Sequence, residues 1–150
     1  MRRQTEGTGK RNGARGTNGL KDSSVKEFLE RLARALTAGD GAAVAAMWEI
    51  PALVVGDTMT KVVSAREELE AFFGGAREQY NTRGISDTRP DIVKLRWVTE
   101  RMAIVEVRWP YLDERGKEVG EESSTYTLRR DEAGDLKLVA AVMHGEAKGR

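Results

Sequence analysis

At Asp91 the spacing of the apolar residues changes from a helical period to an alternation of two, which leaves few architectures open. Upstream, Val25, Phe28, Leu29, Leu32 and Leu36, and later Leu69, Phe72, Phe73, Ala76 and Tyr80, recur at helical spacing. Downstream, Val93, Leu95 and Trp97 alternate with Lys94 and Arg96, and Ala103, Val105, Val107 and Trp109 alternate with Ile104, Glu106 and Arg108. Helices first and strands afterwards predict an α+β fold in which helices cover one face of a bent antiparallel sheet. That arrangement encloses an apolar pocket between the two layers.

Local signals divide the chain further. Ser24 and Glu27 form a capping box that opens the first helix, and Gly39 closes it. Asp40 is placed to cap a short helix over Ala42–Trp48, stopped by Pro51. Ala52–Val55 and Thr60–Val63 read as a hairpin through Gly56 and Asp57. A second capping box, Ser64 with Glu67, opens a helix that runs to Gly84. Turns at Thr99–Arg101, Asp113–Gly116 and Asp131–Asp135 then separate four antiparallel strands, the last two over Val119–Arg130 and Leu136–Met143.

A chain of 150 residues suits one domain, and without cysteine it has neither a disulfide framework nor thiolate chemistry, as suits a cytoplasmic protein. Arg2, Arg3, Lys10, Arg11, Arg15 and Lys21 outnumber Glu6 and Asp22, so a net charge of +1 conceals an acidic body. An acidic body argues against a nucleic-acid partner. Residues 1–22 also hold five of the sixteen glycines and little aliphatic surface, which predicts a disordered basic tail. The domain is expected over 23–145, followed by a short tail at 146–150. No run of apolar residues is long enough to span a membrane.

Leu36-Thr37-Ala38-Gly39-Asp40, then Ala52-Leu53-Val54-Val55, Val105-Glu106-Val107-Arg108-Trp109, the turn Tyr111–Gly116 and the closing Tyr126–Val142 hairpin together resemble the nuclear transport factor 2-like superfamily. The resemblance covers about residues 23–145. It implies a cone-shaped half-barrel of the cystatin-like kind, a central pocket and frequent dimers. Its members include ketosteroid isomerases, SnoaL-like cyclases, dehydratases, epoxide hydrolases and non-catalytic binding domains, so the fold leaves the activity open. In the isomerases a general base ends the first hairpin strand, which here falls near Gly56 with Asp57 beside it. A helix tyrosine helps to hold the enolate oxygen, and Leu32 stands at that position with nothing to donate.

The candidate chemistry is correspondingly sparse. His144, the only histidine, continues by alternation the inward row Leu136, Leu138, Ala140 and Val142 and is a candidate base at the pocket mouth. Asp57 is a second candidate base, although Gly-Asp-Thr is also ordinary turn chemistry. Tyr126 is a candidate donor to a ligand carbonyl or oxyanion. Trp48, Tyr80, Trp97, Trp109 and Tyr126 are expected to wall the pocket, as suits a flat apolar ligand. With one histidine, no cysteine and no phosphate-cradling glycine loop, no metal or cofactor is expected. The last strand is apolar on both faces, which predicts a homodimer through the outer face of the sheet. The expected function is binding of a mainly apolar small molecule. The alternatives are an isomerase, cyclase or dehydratase acting by proton transfer next to a carbonyl, and a dimerising scaffold with a filled core.

Overall fold

Helix α1 (Thr8–Ala38) lays one apolar stripe on the sheet: Val25, Phe28, Leu29, Leu32 and Ala33 are all buried. The computed structural model describes residues 8–146, and the surroundings of side chains 19–145. The helix begins well upstream of Ser24, which therefore does not cap it. Instead the Ser24 hydroxyl donates to Lys21 O at 2.6 Å and accepts from Arg130 at 2.8 Å. Of the tail expected at 1–22, residues 1–7 lie outside the described residues, as do 147–150 of the C-terminal tail.

Gly39, at φ +70°, ends α1 as expected, with its N–H on Leu36 O and that of Asp40 on Ala35 O. The Asp40 carboxylate then accepts from Ala43 N at 3.0 Å and caps α2 (Gly41–Ala46). This helix is shorter than the spacing predicted, because Met47 and Trp48 already run into β1 (Trp48–Val55). Pro51 therefore sits inside a strand instead of ending a helix, at an irregularity in the pairing of β1 with the last strand.

β1 and β2 (Thr60–Val63) form the expected hairpin, with Ala52 opposite Val63 and Val55 opposite Thr60. The long helix predicted next is two: α3 (Arg66–Gly74) and α4 (Ala76–Thr82), broken at the Gly74-Gly75 pair, where helix propensity is lowest. Half of the predicted capping box is kept by a different residue. Glu68, not Glu67, accepts from Ser64 N, and Ala65 is the N-cap.

A two-residue strand, β3 (Asp87–Thr88), precedes β4 (Asp91–Trp97), β5 (Met102–Leu112), β6 (Glu118–Arg130) and β7 (Leu136–Glu146). The sheet order is β2-β1-β7-β6-β5-β3, with β4 also on β5. The meander is antiparallel as predicted, but β7 runs parallel to β1, so the sheet is mixed. That pair joins the first strand to the last, and its direction follows from how the intervening chain folds back, not from any local turn.

Two pairing irregularities change which side chains face the helices. In β4 a shift between Ile92 and Lys94 turns Val93 outward, 58% exposed, and Ile92 inward in its place. In the β6–β7 pair a shift between Thr127 and Leu128 breaks the alternation predicted for β7. Its inward row is Leu136, Leu138 and then Ala141, while Val142 is 43% exposed. The core lies between α1, α2 and the inner faces of β5–β7. Among the described residues, no helix is long and apolar enough to cross a membrane.

Candidate functional site

Two strands supply the floor of a cavity. On β5 the inward alternation runs Ala103, Val105, Val107, Trp109 and on to Tyr111; on β6 it runs Leu128, Tyr126, Ser124 and Glu122. Toward the narrow end these side chains meet Phe28 and Leu29 and fill the core. Toward the wide end α3 and α4 stand off from the sheet, leaving a cavity of about 640 Å³. That lies within the range of about 300–1,000 Å³ usual for small-molecule sites. Leu32 and Leu36 of α1, Leu69, Phe72 and Phe73 of α3, and Leu138 and Ala141 of β7 make its apolar wall.

Lys61 of β2 and Glu68 of α3, an ion pair at 3.8 Å, line one part of the cavity, and a second polar cluster forms where β5, β6 and the end of α4 meet. The Tyr111 hydroxyl donates to Glu122 Oε1. The Arg83 guanidinium lies 5.1 Å from the centre of the Tyr111 ring, and the Tyr80 ring packs on the same ring at 5.9 Å. Burial, and then the charge of Glu122, push the Tyr80 phenol up to about 12, while Arg83 pulls the other way. Deeper in, Trp109 Nε1 donates to the Tyr126 hydroxyl at 2.9 Å. Burial drives the Tyr126 phenol far above its ordinary value against hydrogen bonds with Ser124 and Trp109. Both phenols thus stay neutral donors, beside a carboxylate that accepts. The indole N–H of Trp48 is buried with no hydrogen-bond partner among the described residues, a local cost of about 1–3 kcal/mol.

Of the expected ligand contacts, Trp48, Tyr80, Trp109 and Tyr126 line the cavity, Trp48 from the first residue of β1. Trp97 does not. Its Nε1 donates to Asp22 at 3.2 Å, and Lys21 and Arg130 lie over its ring, pinning α1 to the far end of the sheet. His144 is likewise elsewhere: past the β6–β7 shift it faces outward, exposed, with Nε2 2.7 Å from Thr125 Oγ1. Asp57 sits exposed in the β1–β2 turn and lines no part of the cavity. Glu122, Tyr111 and Arg83 were not among the expected site residues. Counting back by twos from Tyr126 reaches Glu122 and would have placed a carboxylate on the inner face. Among the described residues, no group of His, Asp and Glu side chains could hold a metal ion.

The sequence profile of the NTF2-like protein family DUF6841 matches residues 21–146. The chain belongs to this NTF2-like family. Solved structures agree on the fold. An NTF2-like protein with a cystatin-like fold from Novosphingobium aromaticivorans superposes with a TM-score of 0.66 at 14% identity, over 98% of this chain and 94% of that one. An NTF-2 like protein of unknown function from Shewanella oneidensis gives 0.64 at 12% identity, over 83% and 99%. A ketosteroid isomerase-like protein from Erwinia carotovora atroseptica gives 0.61 at 13% identity, over 85% and 96%. At such identities the likeness is one of fold. No curated protein matches the sequence.

Proposed function

We propose that this NTF2-like domain binds a mainly apolar small molecule between its helices and the concave face of its sheet. The observation that carries this reading is the cavity of about 640 Å³, walled mainly by aliphatic and aromatic side chains. A filled scaffold would instead pack Trp109, Tyr80 and Phe73 into that space, since interiors close to crystal density leave few such voids. The test is titration with ethylnaphthalene, followed through the indole N–H signals of Trp48 and Trp109 in a nitrogen–proton correlation spectrum. Saturable shifts of both signals are expected, abolished in an Ala141→Phe variant that still folds. Absence of binding, or binding that survives the filled cavity, overturns the reading.

A second reading rests on the Tyr111–Glu122 contact. A carboxylate inside an apolar cavity, a few residues from the Trp109–Tyr126 pair, has the makings of proton transfer next to a carbonyl. Glu122 would take the proton and Tyr126, polarised by Trp109, would donate to the enolate oxygen. The bases expected from the sequence, His144 and Asp57, are not in the cavity lining. The domain is also proposed to pair with a second copy through the outer face of the sheet. That proposal draws on the uncharged row formed by Val62, Leu53, Ala140, Thr127 and Ile104, which face one another across five strands.

A further inference from the structure

Apart from the Lys61–Glu68 ion pair, the cavity lining carries one charge of each sign, and the two share a polar corner. Glu122 reaches it from β6 and Arg83 from the residue that follows α4, and Tyr111 lies between them: its hydroxyl donates to the carboxylate and its ring packs under the guanidinium. Both charges also bear on the Tyr80 phenol, in opposite directions. A ligand ammonium entering here gains from Glu122 but meets Arg83, and a ligand carboxylate meets the reverse. Each ion also leaves water for an apolar cavity, which is costly without a dedicated counter-charge. A neutral group that both donates and accepts suffers neither penalty. Its hydrogen can go to the Glu122 carboxylate and its oxygen can accept from the neutral phenol of Tyr80 or Tyr126.

We propose that the cavity selects a neutral apolar compound ending in a hydroxyl group, with Glu122 as acceptor and Tyr80 as the adjacent donor that set this specificity. The inference rests on the binding reading above and adds to it the chemical class of the ligand's polar end. It uses no catalytic step, so it holds whether the bound molecule is turned over or only carried.

Four naphthalenes of nearly equal size test it: ethylnaphthalene, naphthylmethanol, naphthylmethylammonium and naphthoate. Dissociation constants come from the same indole N–H shifts, at neutral pH and fixed salt. The alcohol is expected to bind about tenfold more tightly than the hydrocarbon, as suits one hydrogen bond to a charged acceptor, and more tightly than either ion. Tyr80→Phe and Glu122→Gln should each shrink the ratio of alcohol to hydrocarbon affinity measured within that variant. Glu122→Gln should also improve naphthoate, since the repelling charge is gone. Equal affinities for alcohol and hydrocarbon, or a preference for either ion, overturn the inference and leave the binding reading standing. Failure of all four to bind overturns both. Should Glu122→Gln fail to fold, Tyr80→Phe alone decides: an undiminished preference for the alcohol sinks the assignment of Tyr80.

Discussion

Tyr80 shows how burial sets the state of a single residue. Its phenol is pushed up from 10.0 to about 12, first by desolvation and then by the nearby Glu122 charge, with Arg83 opposing. Below the unfolded value of 10.0 the phenol is neutral in both states and the native environment loses nothing. Above it the unfolded chain ionises first, so stability falls as pH rises through the window up to about 12. Tyr126, shifted further in the same direction, continues the decline. Denaturant midpoints measured across the alkaline range should therefore drop beyond that threshold, and less steeply in Tyr80→Phe than in wild type. Identical alkaline slopes would show that Tyr80 is not held in the apolar environment described. At this scale the sequence was partly legible. Tyr126 and Trp109 are recognisable by alternation, and the same period of two leads back to Glu122 and on past Pro110 to Tyr111, although nothing in the sequence marks those two as cavity residues. Trp97 looked like a cavity residue because its strand alternates correctly, while its distance along the strand from the wide end is a property of the fold.

Among the elements, α2 illustrates a close approach that only glycine permits. A Cβ added at Gly41 would lie 2.4 Å from Glu70 O and 3.0 Å from Gly74 N, so α2 sits directly against the backbone of α3. The Gly41→Ala variant must push the two helices apart and is expected to lose about 1–3 kcal/mol, the usual cost of overpacking. Chemical denaturation checks this, and an unchanged midpoint would mean that α3 shifts freely. The movement would also be felt at the site, because Phe72, Phe73 and Leu69 on α3 form the cavity wall. Helix ends with strong local chemistry were readable, as at Gly39 and Asp40, since the capping groups are neighbours in sequence. Ser24 was not, because its hydroxyl found partners at Lys21 and on the distant Arg130. The pairing shifts in β4 and β7 were also hidden. Apolar residues stand on both faces of these strands, so the pattern allowed more than one register.

For the whole molecule, the exposed face of the sheet raises the question of assembly. Leu53 pairs with Ala140, Ala140 with Thr127 and Thr127 with Ile104, and in the next row Val55 faces Val142 and Val142 faces Thr125. Charged groups border these rows: the Arg129–Glu49 pair at 2.6 Å on one side, and Arg108 with Asp91, Glu118 and Glu121 on the other. An uncharged centre with a charged rim suits a two-fold contact with a second copy. Light scattering should then give twice the chain mass for wild type and a folded monomer for Val142→Glu. A wild-type monomer would remove the interface.

The α+β class, the antiparallel meander, the helix stripe from Val25 to Leu36 and the inner row of β5 can all be read from the chain alone. Each rests on contacts or periodicities within a few residues, where local physics suffices. That β1 lies parallel to β7, that His144 turns outward and that Glu122, Tyr111, Tyr80 and Arg83 share one corner of the cavity emerges only in the folded molecule. Those outcomes depend on register shifts and on how α4 and the residue after it bring Tyr80 and Arg83 onto the Tyr111 ring of β5. They are settled by which buried face loses least when the layers close, a balance no local stretch of the chain contains.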